Sequence, residues 1–168
     1  MNYAPEQISH ALQQKGVENA MLPSFDIAVN SGTFAAREAI EKLMEKLSPL
    51  QLDIEESGTF ELVIAEALNN VVEHGYPDPE NGGPIKIDCT HKSNGLHIHI
   101  VDHGLPMPDG KTPLGLAAEV DVDFMDMPEG GFGWFLIKDL AKDVQYERTG
   151  DKNSLRLRIA IAINATSH

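Results

Sequence analysis

One helical segment carries polar residues where a core helix would have none. The segment EALNNVVEH (66–74) follows the apolar run FELVIA (60–65) and contains Glu66, Asn70 and His74. At about 100° per residue, its polar side chains fall within one arc of roughly 140°. Glu66 and Asn70 stand at i and i+4, so they are neighbours on one face. A carboxylate beside an amide oxygen suits a Mg²⁺ site or a general base next to a metal ligand, and a solvated helix face is the alternative.

A second polar group follows a predicted strand. In VDHGLP (101–106), Asp102 continues the apolar face of the strand LHIHIVD (96–102) to the point where the strand ends. A carboxylate on the core side costs free energy unless it is hydrogen-bonded. Its partner could be a backbone donor, an internal side chain or a ligand amine such as that of adenine, and Gly104 would let a flat ring approach the backbone. A turn-capping aspartate is the alternative.

A third group is the glycine-rich stretch EGGFGWFLIK (129–138), which opens an apolar helix. Free backbone N–H groups at such a helix start, here at Gly131 and Gly133, suit phosphate oxygens. The stretch is not a Walker A loop, because no Lys-Ser/Thr pair follows the glycines. An ordinary hinge would have the same composition.

Two other kinds of site are less well supported. Four histidines could form a metal site, but no carboxylates or thiols at suitable spacing complete it; they are His91, His97, His99 and His103. The exposed side of a half-buried sheet accounts for them. A serine nucleophile is disfavoured because the chain has no G-x-S-x-G elbow.

The composition bounds the class of protein. The 168 residues are 42% hydrophobic and 23% charged, as in a soluble globular domain. The formal net charge of −13 disfavours a nucleic-acid partner. Cys89 is the one cysteine, which excludes an intrachain disulfide and fits a reducing compartment. No apolar run approaches the ~18 residues of a membrane span, so we expect a cytoplasmic protein without membrane contact.

Hydrophobic periodicity predicts the elements that position these groups. Period-two alternation indicates strands in the segments 24–29, 85–90, 96–102, 144–148 and 155–163. Helical spacing indicates helices over 31–47, 54–74 and 132–142, the first capped by Ser31 or Thr33. Such alternation is typical of a sheet with one buried face. The predicted fold class is an α+β two-layer sandwich, with a mixed, mostly antiparallel sheet and helices on one face.

The predicted organisation is one domain with an extension. Residues 1–22 are interpreted as an N-terminal extension and residues 23–168 as a single domain. The segment from His103 to Gly131 is long, acidic and rich in glycine and proline, without a sustained period. Long irregular connections of this kind are often lids or binding loops.

The order of the three groups resembles a known family. E-x-x-x-N on a helix, D-x-G-x-P after a strand and G-G-x-G before a helix resemble the GHKL ATPases, the Bergerat fold of gyrase, histidine kinases and MutL. The stretch EALNNVVEHGY is further similar to the anti-sigma factor serine kinases of the RsbW and SpoIIAB type. The resemblance covers roughly residues 24–163.

The resemblance implies roles at the phosphate end of a nucleotide site. Asn70 matches the asparagine that coordinates Mg²⁺ on the ATP phosphates, and Glu66 matches the general base. His74 matches a histidine near the nucleotide. Gly131 and Gly133 match the glycine box whose amides contact phosphate.

Further roles are implied at the adenine end. Asp102 matches the aspartate that accepts from the adenine amino group, with Gly104 beside the ring. Ser154 lies about where a last-strand hydroxyl contacts a water on the adenine side. The sequence departs from the family at Phe132 and Trp134, where the kinases often have Arg and Leu, and this puts ATP binding or turnover in doubt.

The function implied by the resemblance is an ATP-dependent protein serine kinase that acts as an anti-sigma factor in a partner switch. Its acceptor would be a serine of a STAS-domain antagonist, its cofactors ATP and Mg²⁺, and its further partners a sigma factor and a second copy of the chain. Two alternatives stay open. One is a nucleotide-binding module that sequesters a protein without phosphorylating it, and the other is a GHKL ATPase that only hydrolyses ATP.

Overall fold

The sheet is five-stranded, and each of its strand pairs is antiparallel. A computed structural model describes residues 21–107 and 131–162. The strands are β1 (Phe25–Asn30), β2 (Pro84–Lys92), β3 (Gly95–Asp102), β4 (Lys142–Thr149) and β5 (Lys152–Ile159). They are ordered β1-β2-β3-β5-β4 across the sheet. The predicted α+β class with an antiparallel sheet is confirmed.

Three α-helices accompany the sheet in the described residues: α1 (Ala35–Leu47), α2 (Ile54–Asn70) and α3 (Gly131–Leu140). Helix α2 begins with a capping box, in which Asp53 Oδ1 accepts from Glu56 N at 2.8 Å and Asp53 N donates to Glu56 Oε1 at 3.1 Å. After Asn70 the helix widens into a π-helical turn, Val71–Gly75. Such turns occur often at functional sites.

Period-two alternation divides the sheet into two faces. The covered face packs on the helices and contributes Ile85, Ile87, Leu96, Ile98, Ile100, Leu155, Leu157 and Ile159 to the core. The opposite side, here called the open face, carries Asp88, Thr90, His97, His99, Ser154, Arg156 and Arg158, as the strand register requires. The predicted inward set of β3 is confirmed, because Leu96, Ile98, Ile100 and Asp102 are all buried.

The predicted start of α1 is wrong. The N-cap position is Phe34, and no side chain caps the helix. Ser31 Oγ instead accepts a hydrogen bond from Gly83 N at 2.9 Å, which ties the β1–α1 connection to the turn before β2. The last strand also ends earlier than predicted, at Ile159 rather than residue 163.

Two predictions fall largely outside the described residues. These are the N-terminal extension, residues 1–22, and most of the proposed binding loop between His103 and Gly131. The described end of the extension lies beside β2, since Leu22 N donates to His91 Nδ1 at 3.0 Å. Within the described ranges, the helices lack the length and apolar character needed to cross a bilayer.

Candidate functional site

Asp102 and Asn153 form a buried polar pair on the covered face. Asp102 is the last residue of β3 and is only 4% exposed, and the strand register places it opposite Asn153 of β5. Asn153 Nδ2 donates to Asp102 Oδ1 at 2.8 Å, and Gly104 N donates to the same oxygen at 2.9 Å. A carboxylate has about four acceptor positions. The carboxylate therefore keeps acceptor capacity for a ligand donor.

The orientation of the Asn153 amide is fixed by its neighbours. Its Oδ1 accepts from Tyr146 Oη at 2.6 Å and from Arg148 Nη1 at 2.9 Å. Its Nδ2 donates to Asp102 and to the carbonyl of Leu105, the latter at 2.9 Å. Because donors stand on one side and acceptors on the other, a flipped amide would lose all of these bonds. Asn153 thus holds Asp102 in one position.

Two glycines join the π-helical turn to the end of β3. Leu105 N donates to Gly75 O at 2.8 Å. A side chain at Gly104 would overlap the backbone of Gly75, and a Cβ at Gly75 would lie 3.3 Å from Asp102 Oδ1. Only glycine allows the two backbones to approach this closely. The segments EALNNVVEHG and VDHG are therefore in direct contact.

Tyr76 extends this junction. Its hydroxyl accepts from His103 N at 2.9 Å and donates to Pro84 O at 3.1 Å. Burial, followed by the nearby charge of Asp102, raises the pKa of Tyr76, although the bond from the His103 backbone opposes this. The phenol therefore stays protonated and keeps its role as a donor at neutral pH.

Gly133 brings the glycine-rich stretch against α2. A Cβ at Gly133 would lie 2.7 Å from Glu66 Oε2 and 3.3 Å from Asn70 Nδ2. The first turn of α3, which begins at Gly131, therefore lies beside Glu66 and Asn70. The first N–H groups of a helix have no intrahelical partner and favour anions. The structure thus brings the glycine-rich stretch EGGFGWFLIK next to the segment EALNNVVEH.

A narrow pocket of about 20 Å³, open at its mouth, lies where these elements meet. Its polar lining comes from Asn70, Asp102, Trp134, Tyr146 and Asn153. Its apolar lining includes Ala67, Val71, Leu105, Met107 and Leu155. Mostly apolar walls with a few convergent polar groups are typical of a small-molecule site.

Two buried side-chain atoms at this pocket lack a hydrogen-bond partner in the described part of the chain. They are Asn70 Nδ2 and Trp134 Nε1. Asn70 and Trp134 are 5% and 4% exposed. Buried polar groups are rarely left unpaired in folded proteins. The pocket therefore offers polar groups and apolar walls to a ligand.

The polar stripe of α2 separates into parts. Asn70 is buried and Glu66 half-buried against Gly133, whereas Asn69 and His74 are exposed. His74 also lies outside the lining of the pocket. The predicted pair, Glu66 and Asn70, is thus the part of the stripe that reaches the glycine-rich turn.

Ser154 needs a correction. The register places it opposite Val101, on the open face, and its hydroxyl is hydrogen-bonded to His99 Nε2. It therefore cannot stand beside Asp102, and Asn153 occupies that place. The signal was present in the sequence: Asn153 precedes Leu155 by two residues, so it shares the inward face.

The histidines lie apart from the pocket and bond to different residues. His97 Nε2 contacts Asn94 Oδ1 at 2.6 Å, while His103 Nδ1 lies 3.7 Å from Asp151 Oδ1. Among the described residues, no group of three or more His, Cys, Asp or Glu side chains could hold a metal ion. A Mg²⁺ ion carried by a substrate needs no such cage, because phosphates and water supply most of its ligands.

The fold and the site define a class of protein, an α+β domain in which helices cover one face of an antiparallel sheet and a pocket with polar groups lies between helices and sheet. A family model described as the histidine kinase-like ATPase domain matches residues 32–159. The chain belongs to this family. The resemblance to GHKL ATPases is therefore confirmed.

Individual relatives agree with this placement. The chain is 28% identical over 125 residues to an anti-sigma F factor of Clostridium novyi (strain NT), covering 73% of this chain and 80% of that protein. Its structure is similar to that of the RsbU and RsbW domains of Rv1364c from Mycobacterium tuberculosis, with a TM-score of 0.56, 17% identity and 83% of this chain covered. The chain spans 32% of that longer protein.

A second solved structure is the SiaB–SiaC complex from Pseudomonas aeruginosa. The TM-score is 0.57 at 15% identity, and the match covers 93% of this chain and 100% of that one. At these identities the two solved structures establish a shared fold.

Proposed function

We propose that this chain is an ATP-dependent protein serine kinase that acts as an anti-sigma factor in a partner switch, with a STAS-domain antagonist as its substrate. The observation that carries the proposal is the contact of Gly133 with both Glu66 and Asn70. It puts the Glu66 carboxylate, the Asn70 amide and the first described turn of α3 side by side, which supports their assignment as general base, metal ligand and phosphate-binding amides. The similarity to an anti-sigma F factor supports the anti-sigma role.

The adenine end of the site is assigned to Asp102. Its carboxylate is buried, is held by Asn153 and Gly104, and lines the pocket. Adenine has an exocyclic amino group, which can donate a charge-assisted hydrogen bond to the carboxylate. The apolar walls contributed by Val71 and Leu155 suit the faces of a flat ring.

The phosphate end is assigned to Asn70, Gly131 and Gly133. The Asn70 amide is buried and its Nδ2 has no partner in the described residues, and an amide oxygen is a suitable ligand for Mg²⁺. When bound with ATP, Mg²⁺ neutralises charge on the phosphates. The backbone N–H groups at the start of α3 would receive phosphate oxygens.

Glu66 is assigned the role of general base. It stands one helical turn before Asn70, and its Oε2 lies against the backbone of Gly133. Because it is half-buried rather than enclosed, an acceptor serine can reach it from solvent. Its carboxylate would orient the serine hydroxyl and take its proton as the phosphoryl group leaves ATP.

The test is phosphoryl transfer to a STAS-domain protein from the same organism. The protein is incubated with Mg-ATP and that acceptor, and phosphoserine is measured by mass spectrometry. We expect transfer by the unmodified protein and a loss of about 100-fold or more in Glu66→Gln, since general-base catalysis contributes roughly 10²–10⁴-fold. Glu73→Gln, an exposed carboxylate of the same stripe, is the matched control and should keep full activity.

Other outcomes separate the alternatives. Tight Mg-ATP binding without transfer would favour a sequestration module, and phosphate release without acceptor phosphorylation would favour an ATPase. Transfer at the normal rate in Glu66→Gln would show that another group handles the proton. Capture of a sigma factor by the nucleotide-bound protein would test the anti-sigma role separately.

A further inference from the structure

Trp134 presents a buried hydrogen-bond donor that nothing in the described structure satisfies. Its side chain is 4% exposed, it lines the pocket, and its Nε1 has no partner there. An indole N–H can only donate. It therefore requires an acceptor, and leaving it unpaired costs free energy in the ligand-free protein.

We propose that Trp134 Nε1–H is a specificity-determining ligand donor, which binds an oxygen in the sugar–phosphate part of the nucleotide. This inference rests on the proposed function and adds a residue to it. Ribose and phosphate oxygens are acceptors, so they match the indole, whereas the adenine amino group is a donor and matches Asp102.

The position of Trp134 along the chain supports this choice. It directly follows Gly133, which lies against Asn70 and Glu66 at the phosphate end. Asp102 and Asn153 lie at the end of β3 and the start of β5, on another wall of the pocket. The pocket thus has the Asp102 carboxylate as an acceptor on its sheet side and the Trp134 N–H as an unpaired donor on its helix side. The adenine amino group complements the first, and a ribose or phosphate oxygen complements the second.

Trp134 is one of the two positions at which the sequence departs from the serine kinases that it resembles. A leucine, which that resemblance implies here, has no donor. The sequence GGFGW also lacks the arginine that those kinases often carry in the same turn. An indole N–H supplies one hydrogen bond to the nucleotide without adding a charge.

The chain contains a single tryptophan, which makes a direct test possible. In a ¹H–¹⁵N spectrum of the full chain, the one indole N–H signal belongs to Trp134. We expect this signal to move downfield when the protein is saturated with a non-hydrolysable Mg-ATP analogue. In the ligand-free protein, the signal should have the chemical shift of an indole N–H that makes no strong hydrogen bond.

Replacement by β-(3-benzothienyl)alanine removes the N–H while keeping the shape of the side chain. We expect this replacement to weaken binding of the ATP analogue by about tenfold, the effect of one lost hydrogen bond. The melting temperature of the ligand-free protein should not fall, because no bond is lost there. The affinity for adenine alone, measured by competition, should be unchanged.

Each contrary result is distinguishable. An unmodified protein that does not bind Mg-ATP would refute the proposed function and, with it, this inference. Normal binding with an unmoved indole signal and equal affinity in the isostere would refute the inference alone. A lower melting temperature with unchanged affinity would mean that the indole donates within the protein, and an equal loss for adenine would place the acceptor on the base.

Discussion

The two faces of the sheet use adjacent residues in opposite ways. On the covered face, Asp102 and Asn153 are buried, bond to each other and line the pocket. On the open face, Ser154 bonds to His99, and the groove beside it is lined by exposed or half-buried charged residues of both signs. Among the residues that the structure describes, Asp102 is the one buried carboxylate, and it lines the pocket.

The difference has an energetic cause. Most polar side chains on the open face are exposed or half-buried, so water can satisfy them and a lost partner costs little; Ser154, 7% exposed, is the buried exception and has a single side-chain partner, His99. On the covered face each polar group depends on a protein or ligand partner, and an unpaired group carries its full desolvation cost. Equivalent substitutions on the two faces should therefore have unequal effects.

The largest effect is expected for Asp102→Ala. It removes the acceptor for Asn153 Nδ2 and for Gly104 N, and it removes the proposed partner of adenine. We expect nucleotide affinity to fall by about 100-fold or more, and the free energy of unfolding by about 1–3 kcal/mol. Calorimetric titration measures the affinity, and urea unfolding measures the free energy of unfolding. Asp88→Ala on the open face should change the free energy of unfolding by no more than about 0.5 kcal/mol, and equal effects at both sites would contradict the comparison.

Two adjacent residues of β5 allow a sharper comparison of the two faces. Asn153→Ala removes hydrogen bonds to Asp102, Leu105, Tyr146 and Arg148, whereas Ser154→Ala removes one to His99. We expect a loss of about 2–3 kcal/mol in the first case and of about 1 kcal/mol or less in the second. Urea unfolding of both variants measures these losses in the free energy of unfolding. A larger loss for Ser154→Ala would mean that the open-face contact matters more than the buried network.

A third test concerns the glycine contact. A methyl group at Gly133 would meet Glu66 Oε2 at 2.7 Å, so Gly133→Ala must displace α3 or the Glu66 carboxylate. We expect nucleotide affinity to fall roughly tenfold, about 1.4 kcal/mol. Gly58→Ala, also in a helix but with open space around it, is the matched control and should stabilise the protein by about 0.5–1 kcal/mol. Unchanged nucleotide affinity in Gly133→Ala would show that this contact is not needed for binding.

The smallest effect is expected from the titration of His99 on the open face, which makes stability depend on pH. Burial, and then the charges of Arg156, Lys152 and Lys86, lower the pKa of His99, while Asp88 opposes them. The unfolded histidine titrates near pH 6.5 and the folded one below it, so the unfolded state binds more protons in between. The stability contribution is therefore present above about pH 6.5 and is lost as pH falls through the folded pKa.

His99→Gln should reduce this acid sensitivity. The measurement is the urea midpoint at about pH 7.5 and about pH 5.5 for the unmodified protein and the variant. The unmodified protein should lose more stability than the variant over this interval. Nucleotide affinity should be unaffected, because His99 lies on the opposite side of the sheet from the pocket. Equal losses of stability would show that the titration of His99 does not contribute.

The alternation of residue types predicted the sheet because it reports burial directly. It placed Asp102 inward, and the same rule places Asn153 inward, two residues before Leu155. Ser154 was assigned from the family resemblance rather than from this parity, and the register contradicts it. For this pair of neighbours, local periodicity was the better guide.

Contacts between distant segments could not be predicted in the same way. The hydroxyl of Ser31 looks like a helix cap in the sequence, but it accepts from Gly83 N after the chain has folded. The roles of Tyr146 and Arg148 around Asn153 also depend on strand pairing. Spacing identified Glu66 and Asn70 as neighbours, whereas their contact with Gly133 required the tertiary structure.

The most direct test of the central claim compares two adjacent asparagines of α2. Asn70 is buried and lines the pocket, whereas Asn69 is exposed. Calorimetric titration with Mg-ATP should show at least about tenfold weaker binding in Asn70→Ala and an affinity within about twofold of the unmodified protein in Asn69→Ala. Binding by Asn70→Ala with the affinity of the unmodified protein would contradict the assignment of this helix to a nucleotide site.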